Sequence, residues 1–179
     1  MRSSVCVFIL LLAATTFAHA QSPSPKKPRT PEDYYPRTLR DLNTLLPKAL
    51  ADGLAELNRT EEPDVLVQAD ILPSRVKVVY AGASRPLPES KKSLILSWAN
   101  RFAGMPEFYT VPYQTETLFT ESGENYWLAV RKEFLPKFEQ DLKKGDEVEL
   151  FVIKMGSIKL EQTDPNMSPV LLVERFVKQ

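Results

Sequence analysis

Residues 143–153, KKGDEVELFVI, carry the clearest fold signal in the chain. The first four residues predict a tight turn, with Gly145 and Asp146 as its typical turn residues. From Glu147 charged and apolar residues alternate before an apolar run, which predicts a strand. Residues 170–177, VLLVERFV, predict a terminal strand by the same reasoning. The last third of the chain is therefore expected to be mainly β-structure.

The residues before this turn predict two more strands and a short helix. Residues 108–119 are expected to be extended, with Pro112 at an edge or bulge position because proline cannot donate to a ladder. The run ESGEN at 121–125 predicts a turn, and YWLAV at 126–130 predicts the returning strand. Residues 133–142 favour a short helix, because their apolar residues lie on one side.

The first half of the chain contains two amphipathic patterns. Residues 38–57 predict a helix that is kinked or broken near Pro47, which lacks a backbone N–H. Residues 89–103 predict a second helix, whose apolar residues recur at spacings of three and four. Between them, residues 65–72 and 75–80 predict a β-hairpin, because two β-branched runs flank turn residues. The stripe of the first helix consists of Leu39, Leu42, Leu46, Leu50, Leu54 and Leu57.

Together these patterns predict one α+β domain over residues 37–179. The expected sheet is mainly antiparallel and strongly curved, with about five to seven strands and two to three helices. It is either a curled open sheet covered by helices or a partly open, OB-like small barrel. The predicted core consists of Leu42, Leu46, Leu50, Val67, Val78, Leu94, Trp98, Phe102, Leu128, Val130, Phe138, Leu150, Val152 and Leu172.

Residues 119–176 also carry a resemblance to known proteins. They contain, in order, Tyr-Trp-Leu-x-Val, a short helix, Lys-Lys-Gly-Asp-x-Val-x-Leu-Phe-Val, a glycine, and Val-Leu-Leu-Val-x-x-Phe. This order resembles the second half of small exported bacterial proteins of unknown function, whose strands suggest an OB-like or SH3-like partly open barrel. The resemblance covers about a third of the chain. It implies an architecture and no activity.

The first 20 residues have the pattern of a cleaved signal peptide. Arg2 precedes an apolar run at 5–14, and AHA at 18–20 is a small-x-small cleavage site. The run is shorter than the roughly 20 apolar residues that a transmembrane anchor needs. We therefore expect an exported protein, periplasmic or extracellular and typical of bacteria, with no integral membrane span after cleavage. Residues 21–36 hold five prolines and predict a flexible lead.

Composition excludes several classes of function once the signal is removed. The only cysteine, Cys6, and the only histidine, His19, both lie in the signal. The mature chain therefore offers no thiol or imidazole nucleophile and no ligands for a zinc or haem site, and we expect no metal and no cofactor. Loss of Arg2 leaves 22 basic and 23 acidic residues. This balance disfavours nucleic-acid binding, because net positive charge supplies most non-specific affinity.

The interpretation that these exclusions favour is a non-catalytic exported binding or accessory module. Its partner, which the sequence does not identify, would be a protein or a cell-envelope ligand that docks on the sheet face or on an open strand edge. The candidate surface consists of Tyr113, Tyr126, Trp127 and Arg131. Because Tyr126 and Trp127 are adjacent in a strand, they must face opposite sides, and only one can be a surface platform.

The alternative interpretation is a carboxylate-dependent hydrolase that acts in the cell envelope. Its acid and base would come from Glu116, Glu121 or Asp70, with Glu124 nearby in the same hairpin. Such an enzyme needs two carboxyl groups about 5–10 Å apart across a cleft. Nothing in the spacing of these residues establishes that geometry, so the sequence assigns no catalytic residue.

Overall fold

Four stretches of the chain, residues 29–44, 65–67, 73–159 and 167–179, are described by the computed structural model. The strands in them are β1 (Tyr35–Pro36), β2 (Val65–Val67), β3 (Ser74–Pro86), β4 (Thr115–Glu121), β5 (Glu124–Val130), β6 (Glu147–Ile158) and β7 (Ser168–Lys178). The α-helices are α1 (39–44), α2 (Glu89–Trp98), α3 (Pro106–Thr110) and α4 (Leu135–Asp141). Short 3-10 helices at Pro31–Asp33 and Lys132–Phe134 and a π-helical turn at Ala99–Ala103 complete the described elements.

Five of these strands close into a barrel. The order is β3-β4-β5-β7-β6, and β6 returns to pair with β3, for example at Val76 and Leu150. Every pair in the ring is antiparallel except β5 with β7, which run parallel at Ala129 and Leu172. The prediction of an α+β fold with a mainly antiparallel, strongly curved sheet is confirmed. This arrangement is compatible with an OB-like barrel.

The barrel interior is an apolar core to which two helices contribute. Strand alternation turns Val76 and Val78 of β3 inward, opposite Val148 and Leu150 of β6. Phe138 of α4 is fully buried among the aromatic rings of the same cluster. The other buried members of the cluster are Leu39, Leu42, Tyr80, Phe119, Tyr126, Leu128, Val130, Leu142, Val152, Leu171 and Val173.

A second core lies between the outer face of the barrel and α2. Leu94, Ile95 and Trp98 of α2 pack with Ile153 of β6 and Leu172 of β7. Because both faces of these strands are covered, β6 and β7 read as long apolar runs rather than as alternating ones. The helix therefore belongs to the folded unit and is not an appendage.

A lysine is buried beneath α1. The side chain of Lys154 on β6 is fully inaccessible and donates a hydrogen bond to the backbone carbonyl of Leu42. Burial without a carboxylate partner among the described residues lowers the pKa of Lys154 to about 8. The hydroxyl of Ser157, also on β6, and the Oδ1 atom of Asn43 in α1 are buried without a hydrogen-bond partner. This end of the barrel therefore combines an apolar core with several buried polar groups.

Residues 29–36 of the predicted lead contact the barrel. The Arg29 guanidinium donates to both carboxylate oxygens of Glu174 on β7, at 3.0 and 2.8 Å. The Tyr34 hydroxyl donates to the same carboxylate at 2.5 Å, and burial raises the pKa of this hydroxyl. The chain is therefore already in contact with the barrel at Arg29, ahead of residue 37, where the sequence predicts the start of the domain. Residues 1–20 and most of the lead lie outside the described residues.

Most of the predicted core is buried, with one error. Phe102 was expected to share the buried face of its helix with Trp98, but 40% of its surface is exposed. The reason is that Phe102 lies in the π-helical turn, which packs on α2 and α3, and its ring is tilted against that of Trp98 with the ring centres 6.1 Å apart. Val67 is half-buried, and Leu46 and Leu50 lie outside the described residues.

Two strand predictions were also wrong. Residues 65–67 do not pair with 75–80 as the predicted hairpin requires, because β2 pairs with residues 156–158 of β6. The rest of the first predicted strand, residues 68–72, lies outside the described residues. Gly156 allows this pairing, since a side chain there would collide with the carbonyl oxygen of Leu66. The residues from Phe108 that were expected to be extended belong instead to helix α3. Its first residue is Pro106, whose fixed φ angle and missing N–H suit the first position of a helix.

Candidate functional site

The helical segment between β3 and β4 exposes an unusual amount of apolar surface. Eight large apolar side chains are classed as exposed among the described residues, and five of them lie within residues 96–111. Phe108 is 58% exposed and Val111 is 55% exposed, although both follow or lie in a helix. We call this segment, residues 89–111, the insert. The insert surface consists of Leu96, Phe102, Met105, Phe108 and Val111.

A buried ion cluster fixes the insert on the barrel. Lys91 of α2 is 3% exposed, and its ammonium donates to Glu116 of β4 at 2.5 Å and to the backbone carbonyl of Trp127 at 3.1 Å. Arg85 of β3 donates to the second oxygen of Glu116 at 2.5 Å. Burial lowers the pKa of Lys91, and the hydrogen bond and charge of Glu116 oppose that shift. The start of α2 is thereby tied to three strands at once.

Strand register explains why these groups meet. Arg85 and Glu116 are directly opposed partners in the β3–β4 ladder, so their side chains emerge on the same face. That face is the outer one, where α2 packs. The Arg85 guanidinium also lies 4.0 Å from the centre of the Trp127 ring, which is half-buried beside it. This cation–π contact covers the outer edge of the ion cluster.

A cluster of aromatic rings supports the insert surface from below. Trp98 is buried at the end of α2, with the ring of Tyr109 edge-on at 5.1 Å. Phe108 in turn contacts Tyr109 at 5.4 Å. The chain reverses between α2 and α3 at Gly104, whose φ of 68° is left-handed and whose N–H bonds to the carbonyl of Ala99. The π-helical turn and this glycine together bring α3 back beside α2.

A cavity of about 220 Å³ opens between α2 and the end of α3. Its apolar wall is formed by Ile95 and Leu96 of α2 and by the ring of Tyr113, which is buried. Leu96, one of the exposed residues of the insert surface, therefore also lines the cavity. The polar part of the lining includes Glu89, Lys92, Ser93 and Gln114.

Exposed charges on the insert are balanced. Glu89 and Lys92 pair with each other at 2.6 Å, one turn apart on α2. Arg101 lies 5.5 Å from the centre of the Phe102 ring, and Glu107 is exposed on α3 next to Phe108. The exposed charged side chains of the insert are therefore two acidic and two basic ones, with no excess of either sign.

The four residues of the sequence-predicted surface do not lie together. Tyr126 is 8% exposed and turns into the barrel, where its hydroxyl donates to Glu124 at 2.5 Å. Trp127 faces the outside, so the two neighbours do point in opposite directions. The structure brings only Tyr113 and Arg131 together, with the guanidinium 6.0 Å from the ring centre. Tyr113 is 4% exposed, and burial raises the pKa of its hydroxyl, as it does for Tyr126.

The carboxylates of the alternative, hydrolytic interpretation are engaged in structural contacts. Glu116 is fully buried in the ion cluster on the outer face. Glu121 lies five residues further along the same strand and therefore points to the opposite face. There it accepts the backbone N–H groups of Leu39 and Arg40, at 3.0 and 3.2 Å, at the start of α1. The structure does not bring Glu116 and Glu121 to one cleft, and Asp70 lies outside the described residues.

Sequence reasoning did not find the insert surface, although the sequence contains a signal for it. Pro106 and Pro112 limit α3 to about one turn, and Met105, Phe108 and Val111 fall within or beside that turn. So short a helix cannot bury apolar residues on several of its sides. Reading residues 108–119 as a strand hid this conflict, because a strand buries alternate residues.

Comparisons and searches for other kinds of site add little. Comparison of the chain with known protein families, characterised proteins and solved structures finds no match. In the part of the chain that the structure describes, histidine, cysteine and carboxylate side chains do not gather in groups of three or more that would hold a metal ion. No helix among the described residues is both long and apolar enough to cross a membrane.

Proposed function

We propose that this protein is an exported, non-catalytic module that binds a protein partner through the insert surface. The observation that carries the proposal is the concentration of exposed apolar side chains in residues 96–111. Single exposed apolar residues are ordinary, and the concentration of five of them in one short segment supports an interaction site there. The sequence suggested a sheet face or a strand edge as the binding surface, whereas the surface proposed here is helical.

The charge pattern favours a protein over a lipid surface or a nucleic acid. Helices that lie on anionic membranes carry an excess of lysine and arginine beside their apolar face. The insert pairs Lys92 with Glu89 and has Glu107 as well as Arg101 at its border. A balanced polar rim around an apolar centre is the usual composition of a protein–protein interface.

The insert is also preorganised for binding. The Lys91–Glu116–Arg85 cluster fixes the start of α2, and Trp98 and Tyr109 hold α3 against it. A rigid surface loses less conformational entropy on association than a mobile loop does. Export remains part of the proposal and rests on the signal-like residues 1–20.

Site-specific photo-crosslinking tests the proposal. A photoreactive phenylalanine analogue replaces Phe108, and a matched control replaces Tyr35, which is 64% exposed on β1, outside the insert segment. The processed protein is irradiated with cell-envelope extract of its own organism. We expect a protein adduct at position 108 and none at position 35. Equal adducts at both positions, lipid adducts alone, or no adduct would contradict the proposal, as would adducts with a second copy of the chain alone.

A further inference from the structure

Helix α1 brings both apolar and polar groups to one end of the barrel. Leu39 and Leu42 are fully buried in the interior core. The backbone carbonyl of Leu42 accepts a hydrogen bond from the buried ammonium of Lys154 on β6. The Oδ1 atom of the next residue, Asn43, is buried without a hydrogen-bond partner among the described residues. The leucines therefore favour contact between α1 and the barrel, whereas the buried polar groups oppose it.

A β-bulge turns a second polar side chain of β6 to the inner face. Lys154 pairs with Leu171, and Gly156 pairs with the adjacent residue of β7, so Met155 is an extra residue in the strand. Ser157 consequently faces the same side as Lys154. Its hydroxyl is fully buried and, among the described residues, has no hydrogen-bond partner. A hydroxyl and an ammonium in this condition would both be more stable in water.

No charged side chain of the described strands faces the Lys154 ammonium from inside this end of the barrel. The charged residues of α1, Arg40 and Asp41, are exposed, and Glu121 of β4 accepts backbone N–H groups at the start of α1. Strand β2 contains no titratable residue. Burial lowers the pKa of Lys154, and no charge among the described residues contributes to that shift. The titratable groups of the strands around it face outward or lie at the other end of the barrel: Arg75, Lys77 and Tyr80 on β3, Glu147 and Glu149 on β6, and Glu174, Arg175 and Lys178 on β7.

Local contacts allow α1 to move as a unit. The backbone N–H of Arg37 donates to the carbonyl of Arg75 at 3.1 Å and fixes the chain just before the helix. Thr38 and Asp41 then cap the helix reciprocally, with the Asp41 N–H donating to the Thr38 hydroxyl at 2.9 Å and the Thr38 N–H to the Asp41 carboxylate at 3.3 Å. These caps lie within the helix start, so they persist when α1 leaves the barrel. The hinge is therefore expected at Thr38.

We propose that α1 is a lid on this end of the barrel, which opens as a unit about Thr38, and that the positive charge of Lys154 drives its opening. In the open state the Lys154 ammonium, the Ser157 hydroxyl and the Asn43 side chain gain water, while the two leucines lose their packing. Opening thus gives access to the barrel interior without unfolding the ring of strands. This inference concerns the barrel end and does not depend on the insert surface.

The sign of the pH dependence follows from proton binding. The closed protein holds the Lys154 proton less tightly than the open one, because burial lowers the pKa of this group to about 8. Opening therefore becomes more frequent as the pH falls from about 10 to about 8, and its frequency is constant below that range.

Native-state hydrogen exchange of the processed protein in dilute urea separates lid opening from global unfolding. The backbone amides of residues 39–44 should exchange with little dependence on urea, because lid opening exposes little surface. The amides of Val78 and Leu150, in the middle of the barrel, should show the full urea dependence of global unfolding. Equal urea dependence in the two groups would overturn the inference, since α1 would then leave only when the whole barrel unfolds.

Lys154→Met tests the driving charge. At pH 7 the amides of residues 39–44 should exchange about thirtyfold more slowly in this variant than in wild type, because opening no longer hydrates a buried charge. The ratio of the two rates should fall about tenfold between pH 7 and pH 9. Both proteins are compared at the same pH, so the intrinsic exchange rate cancels.

Lys77→Met is the matched control for this exchange experiment. Lys77 is exposed on β3, so its substitution should leave the exchange of residues 39–44 within about twofold of wild type. Exchange of these residues in Lys154→Met that stays within about twofold of wild type at pH 7 would overturn the inference. A ratio that is the same at pH 7 and pH 9 would also overturn it, because the titration of Lys154 would then play no part.

Discussion

Lys154→Met is expected to stabilise the protein near neutral pH and to remove part of its pH dependence. The wild-type lysine is fully buried, and burial lowers its pKa from 10.5 to about 8. In an unfolded chain the same group keeps a pKa near 10.4. Each pH unit between the two values corresponds to about 1.4 kcal/mol. The buried charge therefore destabilises the fold by about 3 kcal/mol below pH 8.

The sign follows from proton binding in the two states. Between pH 8 and pH 10.5 the unfolded chain holds the Lys154 proton and the folded protein releases it, so the free energy of unfolding rises with pH. Methionine removes this contribution and keeps a similar length. It also loses the hydrogen bond to the Leu42 carbonyl, which is worth about 1 kcal/mol. The net gain at pH 7 is then about 2 kcal/mol.

Urea unfolding at several pH values between 6.5 and 10.5 measures the effect, with the fluorescence of the two tryptophans as the signal. The advantage of Lys154→Met over wild type should fall by about 3 kcal/mol across this range. Buried tyrosine hydroxyls such as that of Tyr113 titrate above pH 10 in both proteins, so only the difference between the proteins is interpreted.

Lys77→Met is the matched control, because Lys77 is exposed on β3 and should change little at any pH. A difference between Lys154→Met and wild type that stays constant within about 0.5 kcal/mol from pH 7 to 10.5 would refute the reasoning. It would show that the Lys154 ammonium keeps its solvation in the folded state.

Three further substitutions test contacts described above. Gly156→Ala should lower the free energy of unfolding by about 1–3 kcal/mol, because its methyl group displaces the Leu66 carbonyl; unchanged urea unfolding would contradict the close approach. Glu116→Gln should cost about 3–5 kcal/mol, measured in the same assay, because it leaves the Lys91 charge buried without a counter-ion; a loss below about 1 kcal/mol would show that water reaches that ammonium. Arg29→Ala breaks an ion pair whose side chains are 26% and 23% exposed, and it should cost about 1 kcal/mol, yet speed hydrogen exchange in residues 33–37. Unchanged exchange there would mean that this contact does not hold the lead.

Local patterns predicted much of the secondary structure. The apolar spacing in residues 89–103 identified α2 and its π-helical extension, and the alternation from Glu147 identified β6. The turn at 121–125 and its flanking strands also form, as β4 and β5. These elements were predictable because the residues that determine them are neighbours in sequence.

Non-local pairing was not predictable in the same way. β2 was assigned to a hairpin with the nearest strand, but it pairs with β6 some 90 residues later, where Gly156 admits its backbone. Barrel closure likewise depends on the β5–β7 and β3–β6 contacts, which no local pattern records. For this reason the sequence did not decide between an open sheet and a barrel.

The candidate site was harder to predict than the fold. Tyr113 and Tyr126 were predicted to be binding residues because they are aromatic and lie in a strand-rich segment, yet both are buried. Phe102 and Phe108 are exposed because of a π-helical turn and a one-turn helix, and both features depend on how the insert packs. Aromatic content alone does not distinguish a core ring from a surface ring.

The closure of the barrel by distant strands determines when this chain can fold. Ser74 pairs with Val152, 78 residues later, and Ala129 pairs with Leu172, 43 residues later. Contacts so far apart must wait until the later partner has been synthesised, and they slow folding relative to local contacts. An early fragment that ends before β6 has no ring to close, because β6 pairs with β3 and carries β7. The strand order thus postpones closure of the barrel until both β6 and β7 have been synthesised.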